Sequence, residues 1–396
     1  YNPEEIHRLL NLLKEDYPQI FTPVYITLQY GLRRSELIGL KWSAIDFEGN
    51  TLKVISTVTQ TAIEGTQIIT CKNKTKSIAG MRSFFLTPKT KEILLELKRK
   101  QEEKMKYTSI KELCDAATKR GIKISELCLE DQAEEMQLPK EELYAMMEKN
   151  FDVMVESVKK GNDPNLLSTS GLTGGEGAKM LQYSDRTGGG LSGSYMTRAI
   201  GRAMCVSNCN AAMGRIVATP TAGSCGILPG CLVSMYEDKG FSKRDVVMSI
   251  FTAGAFGMVI AQMASISGAE GGCQAECGSA SGMAAAALVE LMGGSPASCG
   301  DALGMSIINQ MGLVCDPVAG LVEIPCIKRN VSGVVIALSS ADMALAGIDL
   351  KIPVDECIAA MKSVGDSMSV NLKETAQGGL ADTPTARALR KKVFGE

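Results

Sequence analysis

AEGGCQAECGSASGMAAAALVELMGG, residues 269–294, decides how the larger part of this 396-residue chain is read. Its second half, 280–293, is rich in Ala, Met and Leu and shows none of the polar/apolar alternation of a half-buried strand. Its first half sets glycines around Cys273 and Cys277. Working outward, similar segments recur at 242–267, 302–313, 331–347 and 354–365, and Lys140 to Lys160 carries Leu143, Met147, Phe151, Met154 and Val158 at helical intervals. The expected fold is mainly α, an all-helical domain whose Gly and Ala residues let helices approach closely around whatever the cysteines hold.

Composition supports a large core, with 45% hydrophobic residues. Thirteen cysteines, an odd number, without a leader-like segment, argue against a disulfide framework and for a reducing, cytoplasmic setting. Val246 to Ile266 is 21 residues without a charge, but Ser249, Thr252, Gly254, Gln262 and Ser265 interrupt it, so a buried core helix is expected and no membrane span.

The chain changes character at Met105. Residues 1–104 hold 16 basic and 12 acidic side chains, 5 of the 40 glycines and 1 of the 13 cysteines; residues 105–396 hold 26 basic and 32 acidic. Two domains are therefore expected, 1–104 and 105–396. The first reads as a small α+β unit: helices from Pro3 to Leu13 and Ile20 to Tyr30, a hairpin within Thr51 to Thr70, a basic turn, and a closing helix from Lys89 to Lys104.

GLRRSELIGLKW (31–42) and KTKS (74–77) resemble the start of the catalytic domain of tyrosine recombinases, the phage-integrase family. The resemblance implies phosphate-binding positions at Arg33 and Lys74. The family's later HxxR box and tyrosine nucleophile have no counterpart, since the single histidine, His7, precedes Arg33. A severed fragment without strand cleavage is expected, with at most weak DNA binding from its modest positive charge.

Three glycine-rich stretches follow in the second region: STSGLTGGEGAK (168–179), TGGGLSGS (187–194) and ATPTAGSCGILPG (218–230). Backbone N–H groups in such turns suit a carboxylate guest, although ordinary helix connections would look the same. Cys205, Cys209, Cys225, Cys231 and Cys299 sit among small apolar residues and read as packing, as does Cys277. Cys273 and Cys315 are 42 positions apart, and Cys315 and Cys326 are 11, the latter pair in CDPVAGLVEIPCIKRN.

These contexts and spacings, with SGLTGGEGAKM, TPTAGSCGILPG and ETAQGGLADTPTAR, resemble the alpha subunit of iron-sulfur L-serine dehydratases across residues 105–396. The resemblance implies a 4Fe-4S cluster on Cys273, Cys315 and Cys326, with one iron free of protein thiolate and able to act as a Lewis acid. L-Serine would lose its alpha proton and its hydroxyl, and the aminoacrylate would hydrolyse to pyruvate and ammonia. Ser168, Ser170, Gly171, Thr219, Thr221, Gly223 and Ser224 would hold the substrate carboxylate. With no histidine after position 7, the base has to be Lys179, Lys328, a carboxylate, a cysteine, a serine alkoxide or a partner's group; Lys179 is the named candidate. A separate beta subunit is expected. The open alternatives are a related cysteine or cystine desulfidase and a DNA-binding recombinase remnant; pyridoxal phosphate chemistry lacks a recognisable lysine motif.

Overall fold

Helices begin where the sequence supplies capping groups. Asn2 accepts from the N–H of Glu5 at 2.8 Å while the Glu5 carboxylate accepts from the N–H of Asn2 at 2.8 Å, which starts α1 (Pro3–Asp16). The computed structural model describes residues 2–54, 57–63, 66–72, 82–103 and 106–395. They fall into two compact units, Tyr1–Lys106 and Tyr107–Glu396.

In the first unit α1 is followed by α2 (Pro18–Tyr30), the short α3 (Arg34–Ile38) and, after the strands, α4 (Pro88–Glu103). Strands β1 (Ile45–Asp46), β2 (Thr51–Val54) and β5 (Arg82–Phe85) form an antiparallel sheet in the order β1-β2-β5. Strands β3 (Thr57–Ile63) and β4 (Thr66–Lys72) form a separate hairpin, with Ile63 opposite Thr66. The sequence expectation of one hairpin from Thr51 to Thr70 is thus corrected at its start. Leu52 and Val54 are buried in the unit's core with Ile26, Leu32 and Leu94, so that strand pairs inward with β5. Arg33 is exposed at the start of α3 and faces Glu36 at 3.6 Å; Glu36 is buried and also bound by Arg82. Lys74 lies outside the described residues.

The second unit is helical throughout. It opens with α5 (Ile110–Arg120), α6 (Ile124–Met136) and α7 (Lys140–Gly161), and continues with α8 (Glu176–Thr187), α9 (Gly193–Ala211), α10 (Ile227–Lys239) and α11 (Lys243–Met263). After the one-turn α12 (Gly268–Gly271) come α13 (Ser279–Leu291), α14 (Pro296–Ile308), α15 (Cys326–Leu345), α16 (Val354–Ser367) and α17 (Pro384–Phe394). Helix α13 is the axis: every residue from Ser279 to Glu290 is buried, and α10, α11, α14 and α15 pack around it. Its small side chains permit this, since a Cβ on Gly282 would sit 3.0 Å from Leu303 Cγ. Helix α14 begins before the expected 302 because Ser295 caps it, accepting from Ser298 N at 3.1 Å, with Pro296 in its first turn.

The carboxylate on the buried axis has a local reason. Glu290 accepts from Ile124 N at 2.7 Å, Ser125 N at 3.2 Å and the Thr252 hydroxyl at 2.6 Å, so a side chain of α13 satisfies the open N-terminus of α6. Asp355 of α16 does the same for α5, at 2.7 Å from Ile110 N. Helix α11 is long and apolar enough to cross a membrane, but most of that stretch is buried within the fold. It packs on α6 and α13.

Candidate metal centre

Between α12 and α13 the chain makes a π-helical turn, Gln274–Gly278, directly after Cys273. Such turns insert a residue and re-aim the side chains around them. Gly272 allows the break: its φ is +77°, and a Cβ there would meet Met368 Cε at 2.7 Å and the Leu313 carbonyl at 2.9 Å. Gln274 then locks the turn. Its N–H donates to Leu313 O at 2.9 Å, its side-chain amide donates to Met361 O at 2.8 Å, and its carbonyl accepts from Gly312 N at 2.8 Å.

With Gln274 carrying these structural bonds, Cys273, Glu276 and Cys277 turn toward one another. The two sulfurs are 3.4 Å apart, and a carboxylate oxygen of Glu276 lies with them in a group whose atoms are all within 4.8 Å. Cys315 is buried and interacts electrostatically with Cys273. It is held by Leu372 O, which accepts from its N–H at 2.8 Å, and by Glu374 N, which donates to its carbonyl at 2.7 Å. Arg329 donates to Val314 O and to Asp316, both at 2.7 Å, and also hydrogen-bonds to Cys273. Cys326 opens α15 and is buried, and burial followed by the charge of Cys273 raises its thiol pKa.

The electrostatics follow from this crowding. Hydrogen bonds from Cys277 and Cys315, with the Arg329 guanidinium, hold the Cys273 thiol well below its usual range despite burial. Its negative charge, with burial, pushes Cys277, Cys315 and Cys326 up. Glu276 is raised to about 7 by burial and by Cys273, with the Thr221 hydrogen bond acting the other way.

The loop before α10 closes over the carboxylate. The Thr221 hydroxyl hydrogen-bonds to Glu276 and lies 3.1 Å from the Ser224 hydroxyl, which donates to Thr219 O at 3.2 Å. A Cβ on Gly223 would stand 2.5 Å from Glu276 Oε1, so the bare backbone is needed there. Asn330 of α15 accepts from Gly226 N at 2.8 Å and donates to Gly223 O at 2.7 Å and Cys326 O at 2.9 Å. One amide thus ties the loop to the third cysteine.

Cys273, Cys315 and Cys326 are all buried. The sequence profile of the family described as "Serine dehydratase alpha chain" matches residues 119–381. The chain belongs to the serine dehydratase alpha chain family. It is 48% identical over 289 residues to the probable L-serine dehydratase, alpha chain, of Bacillus subtilis (strain 168), covering 73% of this chain and 96% of that one. The L-serine dehydratase, alpha chain, of Peptoniphilus asaccharolyticus is 42% identical over 286 residues, 72% of this chain and 98% of its own. The L-serine dehydratase of Streptomyces coelicolor is 39% identical over 272 residues, which are 68% of this chain and 59% of that longer protein.

In this serine dehydratase alpha chain the other expected site residues separate into two groups. Thr219, Thr221, Gly223 and Ser224 are gathered beside Glu276. The Thr219 hydroxyl is buried and has no hydrogen-bond partner among the described residues. The Ser168–Thr173 turn is joined to that loop through the end of α9: Thr169 N donates to Ala211 O at 3.1 Å, and the Asn210 amide donates to Ala222 O at 3.2 Å. The hydroxyls of Ser168 and Ser170, however, serve the turn itself. Ser168 Oγ accepts from Thr173 N at 3.3 Å and lies 3.2 Å from Ser170 Oγ, which accepts from Leu172 N at 3.1 Å. Gly171 is exposed at its tip, with φ +71°. Lys179 is exposed on α8 and makes no side-chain hydrogen bond or ion pair among the described residues.

Gln274, Glu276, Arg329 and Asn330 are the residues that sequence reasoning missed. Glu276 had a signal, since it lies between Cys273 and Cys277 in a stretch already singled out. The donor set of buried thiols is one that suits iron-sulfur clusters and other soft metals. The bare backbone of Gly268 approaches the site closely: a Cβ there would come within 2.9 Å of Cys315 Sγ and 3.4 Å of Glu276 Oε2.

Proposed function

We propose that this chain is the cluster-bearing alpha part of an iron-sulfur L-serine ammonia-lyase, converting L-serine to pyruvate and ammonia. The observation that carries this reading is membership of the serine dehydratase alpha family over residues 119–381, in a chain whose Cys273, Cys315 and Cys326 are all buried and whose Cys273 lies beside a half-buried carboxylate, Glu276. The soft donors of these three buried cysteines fit a 4Fe-4S cluster, which Cys273, Cys315 and Cys326 would hold. When bound, the cluster supplies Lewis acidity for departure of the serine hydroxyl.

The chain's own groups account for the rest. Glu276 is the carboxylate that lies among the sulfurs, aimed by Thr221, and it is assigned here to take the alpha proton in preference to the exposed Lys179. The unpartnered Thr219 hydroxyl and the backbone around Gly223 and Ser224 offer donors for the substrate carboxylate at the approach to α10. Loss of water gives aminoacrylate, whose imine form takes up water to yield pyruvate and ammonia. Relatives named alpha chains, and a longer relative of which this chain covers 59%, support a separate beta subunit as partner.

The test is anaerobic purification with that partner, quantifying iron, acid-labile sulfide and pyruvate formed from L-serine. Wild type is expected to hold four iron and four sulfide, as a 4Fe-4S cluster requires, and Cys273→Ala, Cys315→Ala and Cys326→Ala each to lose them. A variant that keeps full cluster and activity removes its residue from the ligand set.

For residues 1–104 we infer a recombinase-derived fragment with no part in the reaction. Arg33 is exposed and already faces the buried Glu36. Tight, salt-sensitive DNA binding by the full chain in a gel-shift assay would overturn that assignment.

A further inference from the structure

Cys277 has no role in the reading above, yet its sulfur lies 3.4 Å from that of Cys273. Two thiolates on one tetrahedral zinc, with Zn–S bonds near 2.3 Å, stand about 3.8 Å apart, within a few tenths of an ångström of that separation. The Glu276 carboxylate adds an oxygen donor within 4.8 Å of both sulfurs, and Cys315, which interacts electrostatically with Cys273, is the adjacent thiol. Glu276 and Cys277 project from a π-helical turn that Gln274 anchors at three points, and Cys273 directly precedes that turn, so the donors are held without a metal.

We propose that Cys273, Glu276 and Cys277 form a second, mononuclear site for a soft divalent cation of the zinc class, which the chain fills when the cluster is absent. Cys315 or water completes the tetrahedron. Binding is non-redox: a thiol that is still protonated, as at Cys277, gives up its proton to solvent as the metal–sulfur bond forms. Because Cys273 is common to both sets, zinc and cluster exclude each other. This exclusion rests on the cluster reading above, whereas the zinc site itself does not.

The experiment uses the full chain, freed of metal under argon and titrated with zinc chloride and, separately, cobalt chloride. Bound zinc is counted by mass spectrometry after desalting, and affinity is read by competition with a chromophoric chelator. The expected result is about one zinc per chain in wild type and in Cys326→Ser, with Cys277→Ala weakened by on the order of 100-fold or more, since loss of even an outer-shell partner costs 10–100-fold. Cobalt is expected to show thiolate charge-transfer absorption that falls by about a third to a half in Cys277→Ala, as one of two or three thiolates is removed. Glu276→Gln, which keeps the side-chain shape, provides a second variant and weakens zinc without reducing that absorption. Zinc loading is expected to block later uptake of iron and sulfide in wild type and not in Cys277→Ala. Unchanged zinc affinity in Cys277→Ala, or an equal loss in Cys326→Ser, overturns the site. A Cys277→Ala chain unable to take up the cluster also overturns it, by making Cys277 a cluster ligand. Full cluster in Cys326→Ser would sink the cluster reading while leaving the zinc site standing.

Discussion

The Ser168–Thr173 turn and the Cys273–Gly278 turn are both framed by glycine and both rich in groups that could meet a ligand. They differ in where their hydrogen bonds go. In the first, Ser168, Ser170 and Thr173 spend their hydroxyls on the turn's own backbone and on Glu323, which accepts from Thr173 at 2.6 Å. In the second, Gln274 takes the anchoring bonds alone, and the thiols and the carboxylate remain to face one another. A turn becomes a reactive site when a separate residue carries its structural bonds, because a donor already satisfied in the fold has to break that bond before it binds anything else.

The widest separation between the two turns should come from Cys273→Ala. Iron is expected to fall to background and pyruvate formation by roughly a thousandfold or more, since the Lewis acid is lost with its ligand. Retained activity would erase the distinction altogether. Glu276→Gln is expected to lower kcat by roughly 10²–10⁴-fold, the usual range for a proton-transfer group, at unchanged cluster content. Lys179→Met, made in parallel, should leave kcat within about twofold, in keeping with an exposed surface position. If the two effects are reversed, the base belongs on α8.

A smaller change is expected from Thr221→Val, which removes the hydroxyl that aims Glu276. A hydrogen bond to a charged group contributes about 1.5–3 kcal/mol, so kcat should drop by roughly 10–100-fold with little change in KM. The smallest kinetic effect belongs to Ser170→Ala. Its urea midpoint should shift by the equivalent of about 1 kcal/mol while kcat and KM stay within about twofold. A tenfold rise in KM would show that the Ser168–Thr173 hydroxyls leave their turn to meet substrate.

How far the fold could be read in advance depended on burial. Helix α13 was legible because a run of Ala, Met and Leu without alternation has few alternatives to a buried helix. The early start of α14 was missed because Ser295 and Pro296 act as capping groups only once the flanking backbone is in place. The strand at Thr51–Val54 was assigned to the wrong partner for a related reason: alternation specifies a face, and the partner is chosen by which core that face enters. The apolar stretch of α11 carried the length of a membrane span, and its burial against α6 and α13 was not visible until those helices were assembled.

By itself the sequence determined the helical class of the larger region and the boundary in composition near position 105. Those are properties of composition and period, and they survive without coordinates. The choice of Cys273, Cys315 and Cys326 came from resemblance to a family. Tertiary structure alone decided that Cys277 and Glu276 join Cys273 on a π-helical turn, that Thr221 reaches Glu276 while Ser168 and Ser170 stay within their own turn, and that Lys179 faces solvent. The physical reason is that a polar side chain's role depends on which of its hydrogen bonds the fold has already made. Here those bonds come from residues tens to more than a hundred positions away, such as Gln274 with Met361 and Asn330 with Gly223.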